Sequence, residues 1–261
     1  MEMIAPATTT PATTTPATTT PATTALATTA LATTAGTLLG GRVAYRQPTA
    51  GYRTGIEPVL IAAHCPARPG DRVLEAGCGA GAGLLCLMAR VPGVMAEGVE
   101  IDPAMAALAR VNTGLTIHEA DITTLTAARP YDHAFTNPPW RSTASTAPAA
   151  GRALALQADP ALLGQWLDAL ARLLRPRGTV TLVQPAAQLS HALGALRTAQ
   201  FGAVGVTPLW PRAGLPAKLV LLRATRGARG PDTLHPGLVL HDGAGYSGAA
   251  QAVLRDGAAI D

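Results

Sequence analysis

Val73-Leu74-Glu75-Ala76-Gly77-Cys78-Gly79-Ala80-Gly81 decides the fold. Its apolar start suits a buried strand, and it runs straight into alternate glycines, after which Leu84 to Arg90 reads as a helix. A glycine-rich turn between strand and helix lets backbone amides approach a ligand closely, in conformations closed to other residues. Alone the turn is ambiguous, because Gly77-x-Gly79-x-x-Ala82 also satisfies the dinucleotide-binding fingerprint.

Outward from this turn, helices and strands alternate. Upstream, Gly40-Gly41 followed by Val43, Tyr45 and Gln47 predicts a short strand or hairpin, and a helix is expected near Pro58 to Ala63 ahead of the strand Arg72 to Glu75. Downstream come a strand ending at Val99-Glu100, a helix from Pro103 capped by Asp102, and strands at Leu115 to His118 and Asp132 to Thr136. After Asp159-Pro160, the residues Leu162, Leu163, Trp166, Leu167, Leu170, Leu173 and Leu174 form one apolar helix face, predicted to end at Arg175-Pro176. A strand Thr179 to Val183 and a helix through Leu189, Leu193 and Leu196 follow. Apolar runs at Ala203 to Leu209 and Leu219 to Leu222, joined through Pro211-Arg212-Ala213-Gly214, read as a closing hairpin. The pattern predicts an α/β fold: a mostly parallel seven-stranded sheet with an antiparallel closing hairpin, helices on both faces, and a ligand beyond the carboxyl ends of the strands.

Composition narrows the classes. Hydrophobic residues are 48% of the 261 but aromatics only 3%, so Leu, Val and Ala must build the core and each large aromatic needs a reason. The net charge of +4, nearly all from arginine with Lys218 the sole lysine, suits a polyanionic partner. Cys65, Cys78 and Cys86 fit no Cys-x-x-Cys spacing, which argues against a disulfide framework or zinc knuckle and for a reducing, cytoplasmic location. The histidines show no HExxH-like spacing, so no metal is expected, and neither a signal peptide nor a membrane span is predicted. Residues 6–35 repeat Pro-Ala-Thr-Thr-Thr, decaying to Leu-Ala-Thr-Thr-Ala; prolines every five residues and scarce large apolar surface predict a disordered tail over 1–36 and a folded domain over 37–261.

Three further segments point to chemistry. Glu100 ends the strand after the glycine turn, where a carboxylate can accept hydrogen bonds from both hydroxyls of an adenosine ribose. Asp121, after the next strand, can accept from an adenine amino group, which a nicotinamide enzyme does not require. The segment Asn137-Pro138-Pro139-Trp140 ends the fourth strand. A planar amino nitrogen is a weak nucleophile because its lone pair is delocalised. An Asn137 side-chain oxygen and the Pro138 carbonyl can each accept one of its hydrogens and aim the lone pair at an electrophilic methyl group. Pro138 and Pro139 stiffen the backbone, and Trp140 offers a flat face for an extruded base. Arg53 and Arg141 flank the mouth and can meet RNA phosphates, although a solvated surface role fits them equally.

Glu75-Ala76-Gly77-Cys78-Gly79, Gly98-Val99-Glu100-Ile101-Asp102 and Asn137-Pro138-Pro139-Trp140, in this order, resemble the Rossmann-like amino-methyltransferases that use S-adenosylmethionine. In more detail the chain resembles bacterial tRNA adenine-N6 methyltransferases of the valine-tRNA type. Gln47-Pro48 with Gly51-Tyr52-Arg53-Thr54-Gly55-Ile56-Glu57-Pro58-Val59-Leu60 is similar to that family's amino-terminal segment, which lies over the methionine end of the cofactor. Pro236-Gly237-Leu238-Val239-Leu240-His241 and Leu254-Arg255-Asp256-Gly257-Ala258 are similar to its carboxyl-terminal part. The resemblance spans about Leu38 to the end. It implies a cofactor site of Thr54, Gly55, Glu75, Ala76, Gly77, Cys78, Gly79, Glu100, Ile101, Asp121 and Ile122, with Glu75, Gly77 and Gly79 at the methionine part, Glu100 at the ribose and Asp121 at the adenine. It places Asn137, Pro138, Pro139 and Trp140 at the target nitrogen, Arg53, Trp140 and Arg141 on the substrate, and RNA, as tRNA, as the partner. Trp140 stands where tyrosine is commoner.

Three alternatives stay open on the sequence: methylation of a protein glutamine, methylation of guanine N2 in ribosomal RNA, and a different class, either a Rossmann oxidoreductase or a catalytically silent RNA-binding module. The guanine enzymes usually carry a histidine where Arg141 stands.

Overall fold

The computed structural model describes residues 31–50, 53–139 and 161–260. A hairpin of β1 (Thr33–Leu38) and β2 (Val43–Pro48) leads to α1 (Glu57–His64), β3 (Arg72–Ala76), α2 (Ala82–Arg90), β4 (Met95–Glu100), α3 (Pro103–Thr113), β5 (Ile117–Glu119) and β6 (Tyr131–Thr136). Then come α4 (Leu162–Leu173), β7 (Leu174–Pro185), α5 (Leu189–Thr198), β8 (Phe201–Trp210) and β9 (Leu219–Arg226). The carboxyl-terminal part adds β10 (Thr233–Leu234), β11 (Leu238–Val239), β12 (His241–Asp242), β13 (Gly245–Tyr246) and α6 (Gly248–Leu254). Local chemistry explains the sharpest boundaries. Asp102 caps α3 by accepting from the Ala104 and Met105 amides at 2.8 and 3.2 Å, with Pro103 at the first helical position, a cap worth about 1 kcal/mol.

The main sheet has nine strands, the expected seven in the order β5-β4-β3-β6-β7-β9-β8 and two short additions, β10 and β11. Strands β5 to β7 are parallel, β9 is antiparallel to both its neighbours, and β10 and β11 each add two residues to the β8 edge. Successive strands leave β3 on one side toward β4 and β5 and on the other toward β6 and β7. Ligands of open α/β sheets bind at such a reversal, beyond the carboxyl ends of the strands. One face buries Leu60, Ile61, Leu84, Leu87 and Ala109 of α1, α2 and α3 with Val253 of α6; the other buries Leu167 and Leu170 of α4 and Leu196 of α5. At the amino ends, Glu97 accepts from Arg72 at 2.6 Å, His118 at 2.9 Å and the Tyr131 hydroxyl at 2.9 Å, tying four strands together. Burial alone would raise its pKa, but these bonds outweigh it and hold the carboxyl below its usual range.

Two boundaries differ from the sequence reading. The domain starts earlier than 37: Thr33 to Gly36, assigned to the tail, pair antiparallel with Pro48 to Tyr45, because a strand partner satisfies a backbone that composition alone left unstructured. Residues 1–30 of the expected tail lie outside the described residues. The α4 helix stops at Leu173 rather than at Arg175-Pro176, and Pro176 falls within β7, in the register irregularity opposite Tyr131 and His133, where no regular ladder bond needs its missing N–H.

Candidate active site

Three neighbouring strands end in one row. Ala76 of β3 pairs with Val99 of β4 and with Thr136 of β6, so the next residues, Gly77, Glu100 and Asn137, stand side by side at the carboxyl edge, on strands about 4.8 Å apart. The Thr136 hydroxyl donates to the Ala76 carbonyl at 2.8 Å and locks β3 to β6 there. Asn137 is half-buried, Pro138 buried and Pro139 half-buried. Trp140 and Arg141 lie outside the described residues.

The glycine turn curls over the end of β4. Gly77 and Cys78 both donate to the Val99 carbonyl, at 2.9 and 3.1 Å, with Gly77, Gly79 and Gly81 at φ +66°, +53° and +84°. At Gly77 the left-handed backbone coincides with a close contact from the other side: a β-carbon there would lie 2.7 Å from Cη2 of Trp166, whose indole reaches the turn from α4. Cys78 is buried, and burial first, then the charges of Glu75 and Glu100, push its thiol far up; this cysteine is a packing group.

Two carboxylates line this edge from behind and beside. Glu75 is only 5% exposed and accepts from the Leu84 amide at 2.9 Å, in the first turn of α2. Gly83 makes this possible, since a β-carbon there would lie 2.3 Å from Glu75 Oε1 and 2.8 Å from Phe135. Burial, then the neighbouring Glu100 charge, raises the Glu75 pKa well above the usual range against the opposing Leu84 hydrogen bond. Glu100 accepts from the Gly79 amide at 2.8 Å and the Asp102 amide at 2.9 Å, and its pKa is also raised, by burial first and by the Asp102 charge. Ile101 is half exposed beside it.

Asp121 spends one oxygen on its own turn, accepting from the Thr123 amide and hydroxyl, both at 2.8 Å, while Ile122 is buried in the core beneath. The amino-terminal hairpin is clamped to the turn by Asn112 of α3, which donates to the carbonyls of Ala80 and Arg46 at 2.8 Å each and accepts from the Arg46 amide at 3.1 Å. Tyr45 of β2 packs with Ala80, Ala82 and Leu108, and its hydroxyl lies 2.7 Å from Thr54 Oγ1. Thr54 also donates its amide to Gln47 at 3.2 Å, Gly55 abuts Glu57, and Arg53 is exposed. The geometry thus gathers Thr54, Gly55, Glu75 to Gly79, Glu100, Asp121 and Asn137 around one edge. The sequence reading missed Gly83, Asn112, Tyr45 and the Trp166 contact; for Trp166 the signal available was the scarcity of aromatics.

Donor and acceptor capacity fits S-adenosylmethionine. A carboxylate has about four acceptor positions; Glu100 accepts from the backbone amides of Gly79, Asp102 and Ile101 and keeps acceptor capacity for a ribose hydroxyl. The second oxygen of Asp121 carries no hydrogen bond among the described residues and remains for an amino group. Among the described residues no group of three or more His, Cys, Asp or Glu could hold a metal ion, and no helix is long and apolar enough to cross a membrane.

Comparison with known proteins agrees with this geometry. Residues 58–188 match the family model of the methyltransferase small domain. The fold resembles a predicted O-methyltransferase from Agrobacterium tumefaciens, with a TM-score of 0.63 at 21% identity over 78% of this chain and 98% of that one. It also resembles an S-adenosylmethionine-dependent O-methyltransferase from Thermotoga maritima, at 0.50 and 20% over 72% and 76%. The chain is therefore an S-adenosylmethionine-dependent methyltransferase of the Rossmann-like class. Among curated relatives, a tRNA1(Val) (adenine(37)-N6)-methyltransferase from Aeromonas hydrophila is 34% identical over 67% of this chain and 77% of its own length. One of the same name from Dickeya chrysanthemi is 30% identical over 78% and 87%. The chain belongs to this family.

Proposed function

We propose that this protein transfers the methyl group of S-adenosylmethionine to N6 of an adenine in tRNA, in the cytoplasm, with position 37 of valine tRNA, named for its relatives, as the first acceptor to test. The observation that carries the reading is the row of Gly77, Glu100 and Asn137 at one carboxyl edge, with Pro138 buried behind it. When bound, the cofactor supplies an electrophilic methyl carbon on a sulfonium. Asn137 and the Pro138 carbonyl accept the two amino hydrogens and hold the lone pair in line; once methylated the nitrogen is strongly acidic and loses its surplus proton to water, so no strong base is needed. Glu100 holds the ribose, Asp121 the adenine of the cofactor, and Glu75 with Gly77 and Gly79 the methionine end. Trp140 stacks on the target base, with Arg53 and Arg141 on phosphates.

The test is incubation of the protein with unmodified valine tRNA and methyl-labelled cofactor, followed by nucleoside analysis. N6-methyladenosine is expected with the native chain, and its loss, with cofactor binding retained, for Asn137→Ala. Label in protein glutamine or in guanine would overturn the acceptor; undiminished turnover in Asn137→Ala would overturn the role of the asparagine.

A further inference from the structure

Beyond β8 the chain builds a small platform at the same end of the sheet as Asn137. Strand β11 pairs in parallel with the last residues of β8, Leu238 with Leu209 and Val239 with Trp210, and the His241 amide then donates to the Pro211 carbonyl at 3.1 Å. The β12–β13 hairpin follows directly. Its base is held firmly: the Ser247 hydroxyl donates to the Val239 carbonyl at 2.6 Å and caps α6 at the Ala250 amide, and Gln251 donates to the Tyr246 carbonyl at 3.0 Å. Across the hairpin the rings of His241 and Tyr246 stack, centroids 4.8 Å apart and 19° from parallel, with Tyr246 38% exposed.

The connection between β8 and β9 lies against this hairpin through Arg212, which donates to the Gly243 carbonyl at 3.3 Å. That connection, residues 211–218, carries the exposed Arg212 and Lys218 and no acidic residue. The hairpin is short, β12 and β13 pairing through His241–Tyr246 and Asp242–Gly245, and the His241 ring supports one face of Tyr246. An exposed ring with Arg212 held against its hairpin and Lys218 on the same connection is a combination that single-stranded nucleic acid recognises, base on ring and phosphate on cation, with Asp242 the one acidic residue of the hairpin. Sheet order sets the reach: the hairpin follows β11, which lies beyond β8 and so four strands from β6, roughly 19 Å at the usual spacing, within a few nucleotides of single strand from a base held at Asn137.

We propose that the His241–Tyr246 stack with Arg212 and Lys218 forms a second RNA contact that receives an unpaired nucleotide flanking the target adenine. The proposal rests on the tRNA reading above and specifies how the acceptor is held.

The experiment compares the native chain with Tyr246→Ala, Tyr246→Phe and the double variant Arg212→Ala/Lys218→Ala, using valine tRNA transcript and S-adenosylmethionine. Tyr246→Ala should raise KM for tRNA by roughly fivefold to 150-fold, the range that base–aromatic stacking spans, with kcat, cofactor affinity and thermal midpoint near native. Tyr246→Phe keeps the ring and should behave as native. The double variant should flatten the slope of log affinity against log salt by about 0.7 for each phosphate that is no longer neutralised. Native KM and salt slope in Tyr246→Ala and the double variant would overturn the proposal while leaving the tRNA reading intact. A native chain that neither binds nor methylates tRNA would overturn both. A KM effect in Tyr246→Ala that tracks a lowered thermal midpoint, and disappears at a temperature where the variant is fully folded, would reduce the stack to a hairpin brace and overturn its role in binding RNA.

Discussion

Replacing Gly77 by alanine isolates the packing that shapes the cofactor turn. Gly77 sits at φ +66°, where an L-residue costs roughly 1–2 kcal/mol. The new β-carbon would also stand 2.7 Å from Cη2 and 3.1 Å from Cζ3 of Trp166, inside the ~3.5 Å at which carbon atoms begin to attract, and such overpacking costs about 1–3 kcal/mol. The expected loss is therefore about 2–5 kcal/mol, which leaves a domain of ordinary stability folded in most of that range. Trp166→Leu removes the far end of the indole and with it the clash, but not the backbone cost. In a double-mutant cycle by urea unfolding, Gly77→Ala/Trp166→Leu should recover about 1–3 kcal/mol relative to additivity and still carry the left-handed penalty. Affinity for S-adenosylmethionine, measured by calorimetry, should fall in Gly77→Ala and partly return in the double variant. Coupling below about 0.5 kcal/mol would refute the indole contact, and a Gly77→Ala cost below ~1 kcal/mol would refute the left-handed turn.

Two further outcomes follow from the same edge. Glu75 has a folded pKa raised above its ordinary value of 4.5, so its contribution favours the folded state in acid and is lost as pH rises through the folded value. Glu75→Gln should accordingly gain stability over the native chain as pH rises above about 4.5, in urea titrations at stepped pH; a gap that narrows with rising pH would contradict the buried carboxyl. Asn112→Ala should cost about 0.5–1.5 kcal/mol, because it removes the bonds to the Ala80 and Arg46 carbonyls and to the Arg46 amide at a site that water reaches. Hydrogen exchange should then speed up in β1 and β2 while β3, β6 and β7 stay protected, and unchanged exchange in the hairpin would refute the clamp.

What could be read in the sequence was what is local. The glycine turn, the Asp102 cap and the apolar face of α4 each declare themselves within a dozen residues, and the alternation of periods gave the parallel sheet and its closing hairpin. Contacts between distant residues leave no such mark. Asn112 meets Arg46 across 66 positions of sequence, and nothing in either neighbourhood announces the pairing. Gly83 reads as an ordinary helix position until Glu75 is seen against it. Thr33 to Ala35 belong to the repeat by composition, yet they are strand because β2 supplies partners, a tertiary effect that overrides propensity. The β11 to β13 segment is too short for either periodicity to register, although Leu238 to His241 within it carry part of the family resemblance.

The order of strands explains why one edge can serve three chemical tasks. Going across the sheet, β5, β4 and β3 deliver Asp121, Glu100 and Glu75, then β6 delivers Asn137, and β8 leads to the Tyr246 hairpin. Because hydrogen-bonded neighbours are spaced by about 4.8 Å, the span from β5 to β8 is close to 29 Å, and each component of the reaction has its own stretch of it. On the proposed reading the cofactor occupies the β5–β3 side, the acceptor nitrogen the β6 position, and the rest of the RNA the side toward β8, so donor and acceptor approach from opposite directions. The reversal of strand order beside β3 is what opens the crevice between them.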